Sequence, residues 1–194
     1  MSNNTIKVWD VLVRIFHWSL VLSFAIAYLS EDDYQDLHIY TGYTIIGLVV
    51  FRLIWGVIGS QYAKFKNFVV KPSETLDYLK DIKNQKSKRY IGHNPAGAMM
   101  VLALIFSLIM TTIFGLMIYG AEEFSGPLAG VMTNISDSTA HDIEEIHEFF
   151  ANFTLFLIVI HIIGVVFTSH QHKENLVLSM INGRKNLNKS FHNE

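Results

Sequence analysis

The sequence predicts an all-α integral membrane protein in which four transmembrane helices form a bundle. Of its 194 residues, 51% are hydrophobic and only 16% are charged, whereas an ordinary soluble domain carries about 25% charged residues. The mean hydropathy is +0.30. Four apolar runs lie at about residues 12–29, 39–59, 95–119 and 146–168. Each run is close to the ~20 residues that a helix needs to cross the hydrocarbon layer, and helices satisfy all backbone polar groups within such a segment.

The distribution of Lys and Arg predicts how these helices are oriented. Eight basic residues lie between residues 60 and 92, and four more follow the fourth apolar run. The loops at residues 30–36 and 120–145 contain no Lys or Arg and carry ten acidic residues, among them Asp32. Short loops rich in Lys and Arg stay on the cytoplasmic side. We therefore expect a multi-pass protein of the bacterial inner membrane, with both termini, the 60–92 loop and the 169–194 tail in the cytoplasm.

The organisation of the chain is expected to be simple, with one membrane domain over residues 1–194. Within the cytoplasmic loop, the stretch KPSETLDYLKDIKN predicts a short surface helix that Ser73 caps. The polar start MSNNTIKVWD and the acidic residues after the first apolar run indicate that the first helix is not a cleaved signal. Cysteine is absent, which excludes disulfides, thiolate-bound iron–sulfur clusters and covalently attached c-type haem.

Four histidines fall at two predicted depths in the membrane. His17 and His161 each lie about two turns from the cytoplasmic end of a helix, whereas His38 and His147 lie at the outer ends of two helices. The fourteen residues from His147 to His161 make about 3.9 turns, so both imidazoles leave the same helix face. The pattern predicts two pairs, His17 with His161 and His38 with His147.

Haem b satisfies every one of these constraints. Its iron takes two axial imidazoles, it needs no cysteine, and its apolar ring fits between helices. Gly42 follows His38 by about one turn and Gly164 follows His161 similarly, where a larger side chain would collide with a porphyrin, although close helix packing would equally favour glycine there. Two haems b per chain are therefore predicted, with the four histidines as iron ligands.

Arg52 is a charged residue inside a predicted membrane helix and requires a partner. It follows His38 by fourteen residues, which places it on the same helix face at the depth of His17 and His161. A guanidinium there would bind a haem propionate. The alternative is that the side chain extends to the inner headgroups.

Two polar residues precede the third helix. Asn94 is predicted to cap it, with Pro95 in the first turn and His93 just outside the helix. The remaining histidines at positions 141, 170, 172 and 192 lie in loops or at helix ends and receive no assigned role.

The sequence resembles the bacterial cytochrome b561 family and the b-type cytochrome subunits of nickel–iron hydrogenases. The matching segments are VWDVLVRIFHWSL, LHIYTGYTIIGLVVFRLIWGVIGSQYAKF, RYIGHNPAGAMMVL, IHEFFANFTLFLIVIHIIGVV and HKENLVLSMINGRK. The resemblance implies a four-helix bundle with two b haems, bound by His17 and His161 on the inner side and by His38 and His147 on the outer side. It also implies electron transfer between a quinone pool and a redox partner, with Asn94 and His93 near the quinone.

Several functional alternatives stay open. The chain lacks the longer termini associated with hydrogenase-bound members, so a free-standing cytochrome that exchanges electrons with a periplasmic c-type cytochrome is expected in preference to a hydrogenase anchor subunit. Acidic outer loops would attract such a basic partner. A quinone reductase that reacts directly with superoxide is a second alternative, and a metal or proton path without haem is a third. Nothing in the sequence points to nucleic acid, and it does not decide whether the chain forms a homodimer.

Overall fold

The structure, a computed structural model, describes residues 5–31, 33–84 and 86–187. Asp32, Lys189 and His192 lie outside the described residues. Four long helices dominate: α1 (Val11–Leu29), α2 (Gln35–Ile58), α4 (Pro95–Glu122) and α6 (Asp137–Gln171). By length and composition each is able to cross a membrane. Shorter elements are α3 (Pro72–Lys83), α5 (Ala129–Met132), α7 (Leu176–Asn182), a 3-10 turn (Phe65–Asn67) and the strands β1 (Thr5–Lys7) and β2 (Arg184–Asn186).

Two helices begin earlier than the apolar runs. Helix α2 starts at Gln35 rather than at residue 39, and α6 starts at Asp137 rather than at residue 146. The additional turns are polar and helical, so they extend the helix without extending the apolar run. His38 and His147 therefore lie inside regular helices, where their side-chain directions are fixed by the backbone.

The chain divides into two compact units. Among the described residues, the first comprises residues 5–18, Phe51–Leu102 and residues 159–187, and the second comprises Ser19–Val50 and Ala103–Ile158. Each long helix contributes a segment to each unit. The single-domain organisation expected from the sequence stays a prediction.

The first unit contains a small sheet formed by a strand from the early part and a strand from the late part of the described chain. Strands β1 and β2 pair in antiparallel register, with Ile6 opposite Lys185. A buried apolar cluster lies beside them and consists of Val8, Trp9, Val13 and Ala63. The carbonyl of Gly183, which ends α7 in the left-handed region at φ +79°, accepts hydrogen bonds from the N–H groups that follow β1.

The start of α3 corrects one expectation. The helix begins at Pro72, and Lys71 occupies the N-cap position without a side-chain hydrogen bond. Ser73 therefore lies inside the first turn and is not the cap. Proline is favoured at the first helical position because its missing N–H would have had no helical partner there.

The second unit is organised around a buried polar contact between α4 and α6. The hydroxyls of Ser107 and Thr154 lie 2.7 Å apart, and both residues are almost completely buried. Small hydroxyl side chains let helices approach closely and hydrogen-bond across the interface. The contact fixes which faces of α4 and α6 pack against each other. Both helices also carry residues of the candidate site.

Candidate functional site

His38 on α2 and His147 on α6 lie together in the second unit. Their ring centroids are 6.0 Å apart, with an interplanar angle of 73°. Because a metal–imidazole nitrogen distance is about 2 Å, two imidazoles on opposite sides of one metal have ring centroids roughly 6 Å apart. The separation is compatible with two imidazoles that bind one metal ion.

Both rings use the same nitrogen to bind the backbone. His38 Nδ1 is 2.9 Å from the carbonyl oxygen of Ala27, and His147 Nδ1 is 2.8 Å from that of Thr111. A carbonyl only accepts, so each Nδ1 carries the proton and donates. Each Nε2 then has its lone pair free for a metal. Such bonds orient a ligand imidazole and increase its basicity.

A partly open cavity adjoins this histidine pair. Its lining is mostly apolar, and tyrosines and Glu31 lie among the polar groups. Gly42 lines it, and no atom lies within 4 Å of a Cβ placed on that residue. Close helix packing therefore does not account for Gly42. A Cβ on Gly115 would lie 2.9 Å from Cε1 of His147. The absence of a side chain at Gly115 therefore makes room for the imidazole ring of His147.

His17 and His161 occur together in the first unit. The two imidazoles are close enough to interact electrostatically. His17 Nδ1 is buried and has no hydrogen-bond partner among the described residues, while its ring packs edge-on against Trp18 at 5.0 Å between centroids. Among the described residues, no backbone carbonyl accepts a hydrogen bond from either ring of this pair, in contrast to His38 and His147. No neighbour therefore fixes which ring nitrogen carries the proton.

Arg52 is buried in the first unit with 4% of its surface exposed. Its guanidinium carbon lies 4.6 Å from the centre of the Phe65 ring, a cation–π arrangement. Nη1 is buried and has no hydrogen-bond partner among the described residues. The side chain is enclosed by protein, which does not agree with the alternative that it extends to the headgroups. A buried guanidinium with a free donor requires an acceptor.

His93 and Asn94 have different environments. The His93 ring packs against Trp9 and Phe68 with centroid distances of 4.8 and 4.5 Å, and its buried Nδ1 has no hydrogen-bond partner among the described residues. Burial, helped by the nearby charge of Arg52, lowers the pKa of His93 to about 3, so the ring is neutral near pH 7. Asn94 Oδ1 accepts from Gly97 N–H at 2.7 Å, which confirms that Asn94 caps α4.

Ala27, Thr111 and Gly115 were not found by sequence reasoning. Ala27 and Thr111 contribute backbone carbonyls, which every residue has, so no side-chain signal exists for them. Gly115 lies in a helix interior, where glycine is unfavourable by roughly 0.5–1 kcal/mol relative to alanine. A glycine at this unfavourable position is the sequence signal that could have identified Gly115.

Four helices able to cross a membrane and paired, half-buried imidazoles are features of a b-type membrane cytochrome. A family model described as prokaryotic cytochrome b561 matches residues 8–183. The chain belongs to the prokaryotic cytochrome b561 family. The comparison with curated proteins gave no match, and neither did the comparison with solved structures.

Membership of this family confirms the resemblance and the all-α membrane fold predicted from the sequence. The protein is a bacterial membrane protein that binds b-type haem and functions in electron transfer. The residues present suit this cofactor. The second unit combines two imidazoles with free Nε2 atoms, an apolar cavity and glycine at the cavity wall.

Proposed function

We propose that this chain is a di-haem cytochrome that transfers electrons between the quinone pool and a periplasmic redox partner. His38 and His147 would bind the iron of the outer haem, and His17 and His161 that of the inner haem. The observation that carries the proposal is the 6.0 Å separation of the His38 and His147 rings, with both Nδ1 atoms bound to carbonyls. When bound, haem b supplies a one-electron iron couple.

The chain's own residues would perform three tasks. The four imidazoles would bind the irons of the two haems, two imidazoles to each iron. Arg52 would bind a propionate of the inner haem, because its buried Nη1 lacks an acceptor and a guanidinium matches a carboxylate. The apolar residues around the cavity beside His38 and His147 would exclude water and so reduce the reorganisation that accompanies electron transfer.

Quinone exchange is proposed at the start of α4, beside the His17 and His161 pair. His93 is the better hydrogen-bonding candidate there, because its buried Nδ1 has no partner among the described residues. The Asn94 side chain already accepts from Gly97 N–H and forms a hydrogen bond with the side chain of Tyr78. On the opposite side, the acidic loops at residues 30–36 and 120–145 would attract a basic c-type cytochrome. Direct reaction with superoxide is the alternative, and comparison of the rates with superoxide and with reduced c-type cytochrome distinguishes the two.

The proposed orientation places both termini in the cytoplasm of a cell with an inner membrane. It rests on the absence of Lys and Arg from the two outer loops. A reporter that is active only outside the cytoplasm should be active when fused after Ser138 and silent when fused after the last residue. The reverse pattern would mean that the haem site called inner here faces the periplasm and the one called outer faces the cytoplasm.

Haem content and spectra test the proposal as a whole. The pyridine haemochrome assay should give two haems b per purified chain. His38→Ala and His147→Ala should each remove or convert the same component of a redox titration, and His17→Ala and His161→Ala the other. One haem per chain, or a single component lost from both His38→Ala and His161→Ala, would contradict it.

A further inference from the structure

A groove lies where α6 ends and α7 begins, and all of its lining belongs to the first unit. Apolar and polar side chains both contribute to its wall. The apolar residues are Val165, Val166 and Val177, and the polar residues are Ser169, His170, Lys173, Glu174 and Asn175. None of them lines the cavity beside the histidine pair of the second unit, and none is assigned to haem or quinone.

One row of side chains on α6 leads from an apolar surface into this groove. Ile162, Val166 and His170 follow each other at four-residue spacing, so they lie on one helix face about one turn apart. Ile162 and Val166 are exposed, with 55% and 62% of their surface accessible. Because α6 is able to cross a membrane, these two residues would contact lipid acyl chains, and His170 lies where the row becomes polar.

The end of α6 places Lys173 in an unusual backbone conformation. Glu174 N–H donates to the Ser169 carbonyl at 2.9 Å, and Lys173 N–H donates to the His170 carbonyl at 3.2 Å. This is the Schellman arrangement, in which the residue after the cap adopts the left-handed region and is usually glycine. Lys173 adopts that region at φ +50°. The backbone of this helix end therefore favours glycine and does not account for a lysine.

The groove has a net positive charge. Among the described residues that line it, the titratable ones are His170, Lys173 and Glu174. Glu174 is buried, and its carboxylate forms ion pairs with Arg89 and Lys185. Those two cations compensate the charge of Glu174. The ammonium group of Lys173, which is an exposed residue, is then the charge that a ligand in the groove would meet.

We propose that this groove binds an anionic phospholipid. The Lys173 ammonium and the His170 imidazole would bind the headgroup phosphate, and one acyl chain would lie along Val166 and Ile162. The apolar row fits a hydrocarbon chain, which a free phosphate ion lacks, and the cation favours an anionic headgroup. A zwitterionic headgroup carries its own cation beside the phosphate, so it would gain less from Lys173. The proposal does not depend on the number of haems.

Lipid retention by the purified full chain in uncharged detergent tests the proposal. Native mass spectrometry should show that the wild type retains phosphatidylglycerol in preference to phosphatidylcholine. Lys173→Gln should weaken phosphatidylglycerol binding about fivefold, because one cation near a charged membrane surface contributes about 1 kcal/mol. Lys80→Gln is the matched control, since it removes an exposed lysine of α3 that does not line the groove.

Lys173→Gly separates lipid binding from folding. Glycine suits the left-handed backbone, so this variant should unfold at a temperature no lower than the wild type and still lose phosphatidylglycerol as Lys173→Gln does. Equal retention of the two lipids by the wild type, or equal phosphatidylglycerol retention in Lys173→Gln and Lys80→Gln, would overturn the proposal. Thermal stabilisation of the wild type by inorganic phosphate to the same extent as by phosphatidylglycerol would identify a free anion as the ligand and would also overturn it.

Discussion

Gly115 on α4 faces the ring of His147 on α6 so closely that an added Cβ would lie 2.9 Å from Cε1. Real Cβ atoms do not approach a neighbour at that distance, so the ring would have to move. The carbonyl of Thr111, one turn earlier on α4, accepts a hydrogen bond from Nδ1 of the same ring. The two contacts together define the position that His147 Nε2 presents to a metal.

Gly115→Ala should therefore disturb the haem held by His147 without unfolding the protein. The ring moves away from Cβ and weakens its hydrogen bond to Thr111, so we expect a smaller low-spin signal from one haem and an altered potential for that component. Gly47→Ala on α2 is the control, since no atom lies within 4 Å of its added Cβ. An unchanged titration in Gly115→Ala would contradict the role given to this glycine.

Gly42 gives a second prediction, because an added side chain there meets open space in the cavity. Gly42→Leu should leave the apoprotein folded, yet its side chain would occupy volume that the haem needs. We expect haem content to fall from two per chain towards one, measured by pyridine haemochrome. Gly47→Leu is matched to it, since Gly47 is exposed on the same helix and does not line the cavity. Equal haem loss in both variants would indicate a general helix effect.

Glu174 provides a test of stability in the first unit. Its carboxylate is buried and forms ion pairs with Arg89 and Lys185. Glu174→Gln removes the buried carboxylate that both cations share, which should lower the free energy of unfolding by about 3–5 kcal/mol. Asp77→Asn breaks the exposed ion pair with Lys80 and should cost less than about 1 kcal/mol. Thermal unfolding in detergent measures both.

The same variant has a predicted pH dependence. Burial lowers the pKa of Lys185, and the carboxylate of Glu174 opposes that shift. Without Glu174 the folded-state pKa falls further below the unfolded value, so the unfolded state binds more protons and stability rises with pH. The deficit of Glu174→Gln should therefore shrink as the pH is raised above neutrality. A deficit that grows with pH would contradict the assignment.

Sequence reasoning succeeded where chemistry is tied to residue type. Apolar runs predicted the four helices because membrane helices must be apolar throughout. Ionisable residues inside those runs singled out His17, His161 and Arg52, whose roles stay predictions. The Asn94 cap was found because an amide before Pro95 is typical of a helix start.

The remainder depends on contacts that carry no sequence signal. The carbonyl groups of Ala27 and Thr111 are indistinguishable from any others in the sequence. Strands β1 and β2 have three residues each and come from opposite ends of the chain, so neither shows an alternating pattern. The burial of Arg52 beneath Phe65 depends on a loop whose path the sequence does not specify.

The proposed quinone site lies near the start of α4, and two variants distinguish the contribution of His93 from that of Asn94. His93→Phe preserves aromatic packing against Trp9 and Phe68 but removes the buried Nδ1. Loss of one hydrogen bond to a quinone oxygen, worth about 1 kcal/mol, should slow haem reduction by a quinol analogue several-fold, and dithionite-reduced spectra should be unchanged.

Asn94→Ser retains a helix-capping oxygen for Gly97 N–H while removing the amide donor. Stopped-flow reduction should therefore show a much smaller effect for Asn94→Ser than for His93→Phe. The opposite ranking would return the donor role to Asn94, and full quinol rates in both variants would move the site away from α4.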